Sequence, residues 1–353
     1  MAVLNIFLLL LGFVLLVKGA DFFVDGASGI AKKLKVSTFI IGVTVVALGT
    51  SAPEMAVTVV DAVGGNGEII VGNILGSNII NIFLILGISA VICKLPVEKS
   101  TRFIDMPFLI AVSALLLLFG VTDYEFTWWE GLLLLILYVI FMAYNVVLAL
   151  RQSKARIEQT AAESVDFEND SEKKSEPQNF WGALKSKYES LKVKTWFLII
   201  LTVVGLGMVV GGAQLVVNSA QYIAETLFRI PTEIVALTVV AFGTSLPELV
   251  TSVSAARKGD VGIATGNIIG SNIANILLIG GLGAVSTGGA GLPFSSEGFV
   301  SGIVALIAAV LVFVSCLGKT KSIARVAGII MLCCLVCYYG IIFLNYFKVI
   351  NLY

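Results

Sequence analysis

The chain contains no histidine, which is the commonest general base and the commonest metal ligand in proteins. Imidazole catalysis, histidine metal sites and histidine proton relays are therefore excluded. Five cysteines are present, but their spacing forms no metal-site motif. They lie in or at the ends of apolar segments, where cysteine is a small packing residue (Cys93, Cys316, Cys333, Cys334, Cys337).

Charge is also scarce. Charged residues make up 13% of the chain, against about a quarter in soluble domains, while 58% of residues are hydrophobic and the mean hydropathy is +1.00. The net charge is zero, so no basic excess indicates a nucleic-acid partner. Several apolar windows reach about 20 residues, the length that crosses the hydrocarbon core. We expect an all-α polytopic membrane protein whose outer surface contacts the lipid bilayer.

The apolar segments predict ten spans. The first is expected to be retained as a helix, because no basic residue precedes it and no clear cleavage motif follows it. The predicted spans lie near residues 3–25, 39–62, 68–92, 104–121, 127–150, 195–218, 233–256, 261–285, 297–317 and 323–347. This count divides the chain into a five-helix repeat (1–150), a polar linker (151–194) and a second five-helix repeat (195–353).

The two halves share one long stretch. Gly42–Ala90 and Ala236–Ala284 match at 26 of 49 positions, without a gap, at a constant offset of 194. Because each repeat has an odd number of spans, the two must enter the membrane in opposite directions. Such inverted repeats are typical of secondary transporters.

Basic residues separate the loops into two sets. Lys and Arg concentrate after spans one, three, seven and nine, whereas the alternate loops are mostly acidic or neutral. The positive-inside rule then places both termini outside and the 151–194 linker in the cytoplasm. The linker holds nine basic and eight acidic residues, and its stretch 163–176 has the composition of a disordered segment. We interpret it as a solvated connection, with a regulatory segment as the alternative.

The repeated stretch places a proline and a glutamate inside each of two apolar spans. The shared motif is Gly-Thr-Ser-x-Pro-Glu, at Gly49–Glu54 and Gly243–Glu248. Proline removes a backbone hydrogen bond and disfavours helix at the residue before it, so both spans should break near mid-membrane. A charge at the bilayer centre costs roughly 2.5–3.5 kcal/mol even on the more lenient scale, so the two glutamates indicate function. Two carboxylates that met there would repel unless a proton or a cation lay between them.

These breaks would gather oxygen atoms suited to hard cations. Carbonyl, hydroxyl and carboxylate oxygens would come from Thr50, Ser51 and Glu54 in the first repeat and from Thr244, Ser245 and Glu248 in the second. Oxygen-only sites favour Na⁺ and Ca²⁺ over zinc or copper.

A second shared motif follows in spans three and eight, Gly-Asn-Ile-x-Gly-Ser-Asn-Ile-x-Asn. Its polar residues recur every four positions and so form a stripe on one helix face (Asn73, Ser77, Asn81; Asn267, Ser271, Asn275). The GxxxG pairs within it allow close helix approach, which brings the stripe to the broken helices. Four of the asparagines could equally serve a structural purpose (Asn73, Asn78, Asn267, Asn272).

The paired motifs resemble the α-repeats of the cation/calcium exchanger superfamily, above all its prokaryotic Na⁺/Ca²⁺ exchangers. Related H⁺/Ca²⁺ exchangers usually carry a Gly-Asn-x-x-Glu version, so the Gly-Thr-Ser-x-Pro-Glu version favours Na⁺ coupling. The resemblance implies that Glu54 and Glu248 hold Ca²⁺ with the carbonyls of Thr50 and Thr244. It further implies that flanking residues line Na⁺ sites and that two asparagines complete the centre (Ser51, Ser77, Ala47, Ser245, Ser271, Ala241; Asn81, Asn275). Some relatives, including potassium-dependent ones, carry Asp at the position of Asn275, so K⁺ independence is expected.

The sequence is therefore interpreted as a secondary antiporter of a prokaryotic plasma membrane that exchanges Na⁺ for Ca²⁺ by alternating access. Both ions bind as substrates; no resident cofactor, enzymatic activity or obligatory protein partner is expected. An H⁺/Ca²⁺ exchanger that uses the same two glutamates is the close alternative. A cation channel fits inverted repeats less well. An intramembrane aspartyl protease would need Asp in a Gly-x-Gly-Asp setting, which is missing.

Overall fold

The computed structural model describes residues 2–63, 67–122, 124–163, 194–227, 241–289, 291–318 and 321–346. Its first half contains α1 (Ala2–Leu34), α2 (Thr38–Ile41), α3 (Ala47–Thr50), α4 (Ala52–Val63), α5 (Gly67–Ile80), α6 (Gly87–Ile92), α7 (Met106–Thr122) and α8 (Trp128–Glu163). The second half contains α9 (Thr195–Tyr222), α10 (Ala241–Thr244), α11 (Leu246–Lys258), α12 (Val261–Ala274), α13 (Gly280–Ser286), α14 (Ser296–Leu317) and α15 (Arg325–Tyr346). Five π-helical turns link some of these helices, at Gly42–Val46, Asn81–Leu86, Thr101–Asp105, Ile223–Leu227 and Asn275–Ile279.

Eight helices in the described ranges are long and apolar enough to cross a membrane, and a bent pair supplies a ninth candidate span. The bent pair joins 38–50 to 52–63 at an angle of 43°. The predicted span 233–256 begins outside the described residues, and its described part is helical from Ala241 onward. The all-helical membrane architecture is confirmed, while the full count of ten remains a prediction.

Two helices run further than expected. α1 continues to Leu34 instead of ending near residue 25, and α8 continues to Glu163, into the segment expected to be a linker. A helix satisfies its own backbone hydrogen bonds, so it has no need to stop where the apolar run ends. The stretch 164–193, including most of the expected disordered segment, lies outside the described residues.

The helices that carry the second motif form the centre of the bundle. Over an apolar stretch of each helix, 78% of residues are buried within Ile70–Ile92 and 83% within Val261–Ser286. The corresponding shares are 22% in α1 and 17% in α15. The peripheral helices expose large apolar side chains such as Leu10, Val139 and Val336. An apolar exterior around a polar-striped centre is the arrangement that a lipid solvent requires.

α1 and α9, the first long helix of each half, pack antiparallel through glycines. A Cβ on Gly12 would lie 2.9 Å from the carbonyl oxygen of Gly212, and one on Gly19 would lie 2.9 Å from that of Gly205. Only glycine permits so close an approach of two backbones. The pair therefore depends on these four positions.

Two short antiparallel ribbons join the halves. β1 (Leu95–Pro96) pairs with β4 (Ser322–Ile323), and β2 (Glu125–Phe126) pairs with β3 (Leu292–Pro293). Each ribbon thus contains one strand from each half, and the Leu-Pro strands β1 and β3 occupy corresponding places. The two halves therefore form one interlocked bundle instead of separate lobes.

Candidate ion-binding site

The expected breaks in the two motif-bearing helices are confirmed. α3 ends before Ser51, whose φ and ψ are −84° and 5°, and α11 begins after Ser245, whose φ and ψ are −88° and 2°. These values lie in the sparsely populated bridge region between helix and strand. Pro53 and Pro247 follow two residues later and cannot donate to the carbonyls of the preceding turn. The same local chemistry therefore interrupts both helices at the same motif position.

The two glutamates lie in the first turn of the helix after each break. Glu54 is 2% exposed and Glu248 is 1% exposed. In each carboxylate Oε2 has no hydrogen-bond partner within the described ranges. Two buried anionic oxygens without donors favour the binding of a cation between them.

Hydroxyl groups from both repeats surround Glu248. Ser51 Oγ lies 2.9 Å from Glu248 Oε1 and 3.2 Å from Ser271 Oγ. The Thr50 and Ser271 hydroxyls also lie beside this carboxylate. The first repeat therefore contributes a hydrogen-bond donor to the carboxylate of the second.

Two asparagines of the polar stripes occupy equivalent central positions. Asn81 and Asn275 each begin a π-helical turn, a feature that often marks functional sites in helices. Asn81 Nδ2 donates to Asn272 Oδ1, and Asn275 Nδ2 donates to Asn78 Oδ1, at 3.1 Å in both cases. These two bonds are related by the offset of 194, so the second half repeats the geometry of the first.

The buried asparagines of the stripes use their Oδ1 atoms in two ways. Asn81 and Asn275 keep their Oδ1 atoms without a partner among the described residues. Asn78, Asn272 and Asn267 use their Oδ1 atoms to accept hydrogen bonds. The Oδ1 atoms of the first group are available to a ligand, whereas those of the second accept from other side chains.

Asn267 holds other side chains in place, whereas the sequence left its role open between structure and ligand. It is fully buried; its Oδ1 accepts from Thr50 Oγ1 at 3.0 Å, and its Nδ2 donates to Ser252 Oγ at 2.9 Å. A weaker bond of 3.4 Å reaches the carbonyl oxygen of Glu248. Its presence in both copies of the motif was the only indication in the sequence. Ser252 itself was not predicted.

The remaining predicted residues lie around this centre. Ala47 and Ser77 are buried, and the Ser77 and Ser245 hydroxyls lack partners in the described part of the chain. Thr244 ends α10 and is partly exposed. Ala241 begins α10, and the position of its side chain is outside what the structure describes.

The donor set fits a hard cation. The buried oxygens without partners in the described ranges include two carboxylate, two amide and two hydroxyl atoms (Glu54 Oε2, Glu248 Oε2, Asn81 Oδ1, Asn275 Oδ1, Ser77 Oγ, Ser245 Oγ). Native proteins leave few buried polar atoms unpaired, so these six, all carried by the two repeated motifs, call for a ligand. Ca²⁺ takes six to eight oxygen ligands of these types. No group of three or more His, Cys, Asp or Glu side chains occurs in the described segments, which leaves hydroxyls and amides as the partners of the glutamates.

An apolar helical bundle with oxygen ligands at two broken, repeat-related helices is the architecture of a secondary transporter for cations. The family model described as sodium/calcium exchanger protein matches residues 4–147 and 197–344. The chain therefore belongs to the sodium/calcium exchanger family.

Individual relatives agree with this assignment. The sodium/calcium exchanger MaX1 of Methanosarcina acetivorans is 34% identical over 304 residues, covering 80% of this chain and 83% of that protein. The inner membrane protein YrbG of Escherichia coli K12 is 34% identical over 328 residues, covering 92% of each. Among solved structures, the sodium-calcium exchanger NCX_Mj soaked with Na⁺ and Sr²⁺ matches with a TM-score of 0.78 at 31% identity, covering 96% of this chain and 99% of that one.

Proposed function

We propose that this protein is an antiporter that exchanges Na⁺ for Ca²⁺ across the membrane by alternating access. The observation that carries the proposal is the set of unpaired buried oxygens around Glu54 and Glu248. Two carboxylates supply two negative charges, which one Ca²⁺ neutralises. Several Na⁺ ions that share the same oxygens would also neutralise them, so the two substrates would displace each other.

The proposed Ca²⁺ ligands are the carboxylates of Glu54 and Glu248 and the carbonyls of Thr50 and Thr244. The proposed Na⁺ ligands are the flanking positions of the two motifs, with the two amides at the centre (Ser51, Ser77, Ala47, Ser245, Ser271, Ala241; Asn81, Asn275). All described side chains of this set except the partly exposed Thr244 are buried, which supports the assignment. The proposed orientation has both termini outside and the 151–194 linker in the cytoplasm, with repeats at 1–150 and 195–353. A prokaryotic plasma membrane is the proposed location.

Replacing either glutamate tests the site. Glu54→Gln and Glu248→Gln should each abolish Ca²⁺ flux, because an amide keeps the shape of the side chain but removes a charge that the ion needs. The measurement is radioactive Ca²⁺ uptake into proteoliposomes. Glu130→Gln is the matched control, because Glu130 is also buried but accepts from the backbone and hydroxyl of Thr127, an acceptor role that glutamine retains. Near-normal Na⁺-driven uptake by either site variant would end the assignment.

The coupling ion requires a separate experiment, since the same two glutamates could carry protons. Uptake of Ca²⁺ should require an outwardly directed Na⁺ gradient and persist in the presence of a protonophore. The Gly-Thr-Ser-x-Pro-Glu motif supports this choice, as do the relatives named sodium/calcium exchanger. Uptake driven by an H⁺ gradient and indifferent to Na⁺ would instead assign the chain to H⁺/Ca²⁺ exchange.

A further inference from the structure

Between the described residues, the hydrogen bonds at the centre of the site have repeat-related counterparts, whereas three flanking hydrogen bonds do not. The central pair, Asn81 to Asn272 and Asn275 to Asn78, obeys the offset of 194 with equal distances of 3.1 Å. Three flanking bonds are formed only once, on the side of Glu248: Ser51 to Glu248, Ser51 to Ser271, and Asn267 to Ser252. We call these the Glu248-side bonds.

Subtracting or adding 194 gives the mirror set: Ser245 to Glu54, Ser245 to Ser77, and Asn73 to Thr58. We call these the Glu54-side bonds, and the structure shows none of them between the described residues. The atoms that would form them are present but unpaired within the described ranges, namely Ser245 Oγ, Glu54 Oε2, Ser77 Oγ and Thr58 Oγ1. Asn73 is partly exposed, whereas its counterpart Asn267 is fully buried.

Thr58 is the most informative member of the mirror set. It is 1% exposed, and its hydroxyl oxygen has no partner among the described residues. Its repeat counterpart, Ser252, accepts the amide of Asn267. A buried hydroxyl without a partner is destabilising, so a conformation in which Asn73 reached Thr58 would relieve that cost.

A second asymmetry lies at one end of α11. Lys258 Nζ is 2.9 Å from Asp25 Oδ1 and 3.4 Å from Asp21 Oδ1, which ties α11 to α1. At the offset of 194, the counterparts of these three residues in the other repeat are Gly64, Ser219 and Leu215, which carry no charge. The ion pair is therefore a further contact on the Glu248 side, and the residues at the equivalent positions on the Glu54 side carry no charge.

A crevice lies beside the second helix break. It is lined by α4, α9 and the second helix break, at Pro53, Val57, Gln214, Thr244 and Pro247. A second crevice lies at the Lys258 end of α11, lined by residues such as Asp21, Ser254 and Arg257; this end faces the cytoplasm in the proposed orientation.

We infer that the Glu248-side bonds and the Glu54-side bonds alternate, one set forming as the other breaks, and that Asn267 and Asn73 are the positioning residues of this switch. The inference rests on the alternating access of the proposed function and adds the side chains that distinguish its two states. In such transporters one repeat is gated against the other around a central site. Here the two repeats carry nearly the same motif residues, so each flanking bond has a possible mirror image. Bonds that one repeat makes in one state are then made by the other repeat in the second state.

Two single substitutions test the switch, because they should shift the equilibrium between the two states in opposite directions. Ser252→Ala removes an acceptor used in the present state, so it should favour the mirror state. Thr58→Val removes an acceptor used only in the mirror state, so it should favour the present one. Each lost bond of this kind should change the ratio of the two states by about fivefold. Neither residue belongs to the proposed ion ligands.

The readout is hydrogen–deuterium exchange by mass spectrometry on the purified full chain, in buffer without Na⁺ or Ca²⁺. Ser252→Ala should increase exchange in α11 and α12 and decrease it in α4 and α5; Thr58→Val should do the reverse, and the double variant should return towards wild type. Thr251→Val is the matched control, since Thr251 is buried next to Ser252 but its repeat counterpart is already a valine, Val57. It should produce no reciprocal change.

Reciprocal changes in the two repeats support the switch, because a local structural defect does not protect a distant helix. Exchange that rises only near each substituted residue, or that moves in the same direction in both variants, overturns it. Thr58→Val removes no bond formed in the present structure, so it is expected to fold even if Ser252→Ala does not. The readout needs no ion flux, so its failure is distinguishable from a failure of the proposed exchange activity.

Discussion

At the scale of single residues, the buried asparagines differ in whether the Oδ1 atom already accepts a hydrogen bond. Asn81 and Asn272 are both buried and hydrogen-bonded to each other, yet only Asn81 keeps its Oδ1 free of partners in the described structure. An asparagine amide has two donors and one acceptor oxygen, so the direction of its bonds decides whether it can bind a cation. This is why the same residue type performs two roles within one motif.

Asn275 allows a sharp test of charge at the centre. Asn275→Asp would add a third negative charge beside Glu54 and Glu248, and only a proton or a further cation could neutralise it. We expect transport by this variant to become more sensitive to pH or newly responsive to K⁺. Wild type should show no K⁺ requirement. Calcium flux measured with and without K⁺, across a range of pH, checks both expectations.

The mirror variant Asn81→Asp provides the internal comparison, because the two positions are equivalent in the repeats and make equivalent bonds. It should behave like Asn275→Asp. A K⁺ requirement in wild type would contradict the argument from Asn275 and leave the exchanger proposal standing.

At the scale of the elements, glycine decides how α1 meets α9. A Cβ on Gly205 would lie 2.4 Å from the backbone nitrogen of Phe23 and 2.9 Å from the carbonyl oxygen of Gly19. Backbone atoms cannot move aside as a flexible side chain can, so the two helices would have to separate. The contact between the first helices of the repeats is therefore a sequence-specific device.

Gly205→Ala should lower the thermal unfolding midpoint of the purified protein, because the added methyl group collides with the backbone of α1. Gly207→Ala is the matched control: it lies two residues further along α9, is exposed, and has no described atom within 4 Å of an added Cβ. The control should be neutral or slightly stabilising, since alanine favours helix over glycine by about 1 kcal/mol. Equal effects of the two substitutions would contradict the packing argument.

At the scale of the whole molecule, the two halves are held together by contacts that cross between them. The helix pair α1 and α9, both β-ribbons and the central asparagine bonds each join residues of different repeats. The polar segment 151–194 connects the two halves along the chain. Its composition lacks the apolar residues that would pack it against the bundle.

Replacing about 161–176 with a Gly/Ser spacer should therefore leave Ca²⁺ transport largely unchanged. This region begins at the end of α8 and continues outside the described residues. The measurement is Na⁺-driven uptake normalised to the amount of protein in the membrane. Loss of flux at normal membrane expression would favour the regulatory interpretation of the linker.

The sequence by itself determined the membrane class, the repeat, the two helix breaks and the buried glutamates. Each of these follows from local chemistry: apolar length, the missing N–H of Pro53 and Pro247, and the cost of burying Glu54 or Glu248 in hydrocarbon. Local effects of this kind can be read from a short stretch without knowing what it contacts.

Only the tertiary structure decided which asparagines hold other side chains, that Ser252 and Thr58 belong to the network, and that its flanking bonds form on one side alone. The two copies of the motif have nearly the same residues, so their sequences cannot distinguish a formed bond from its unformed mirror image. That difference depends on which atoms of segments 194 residues apart come within hydrogen-bonding distance, and packing of the whole bundle sets those distances.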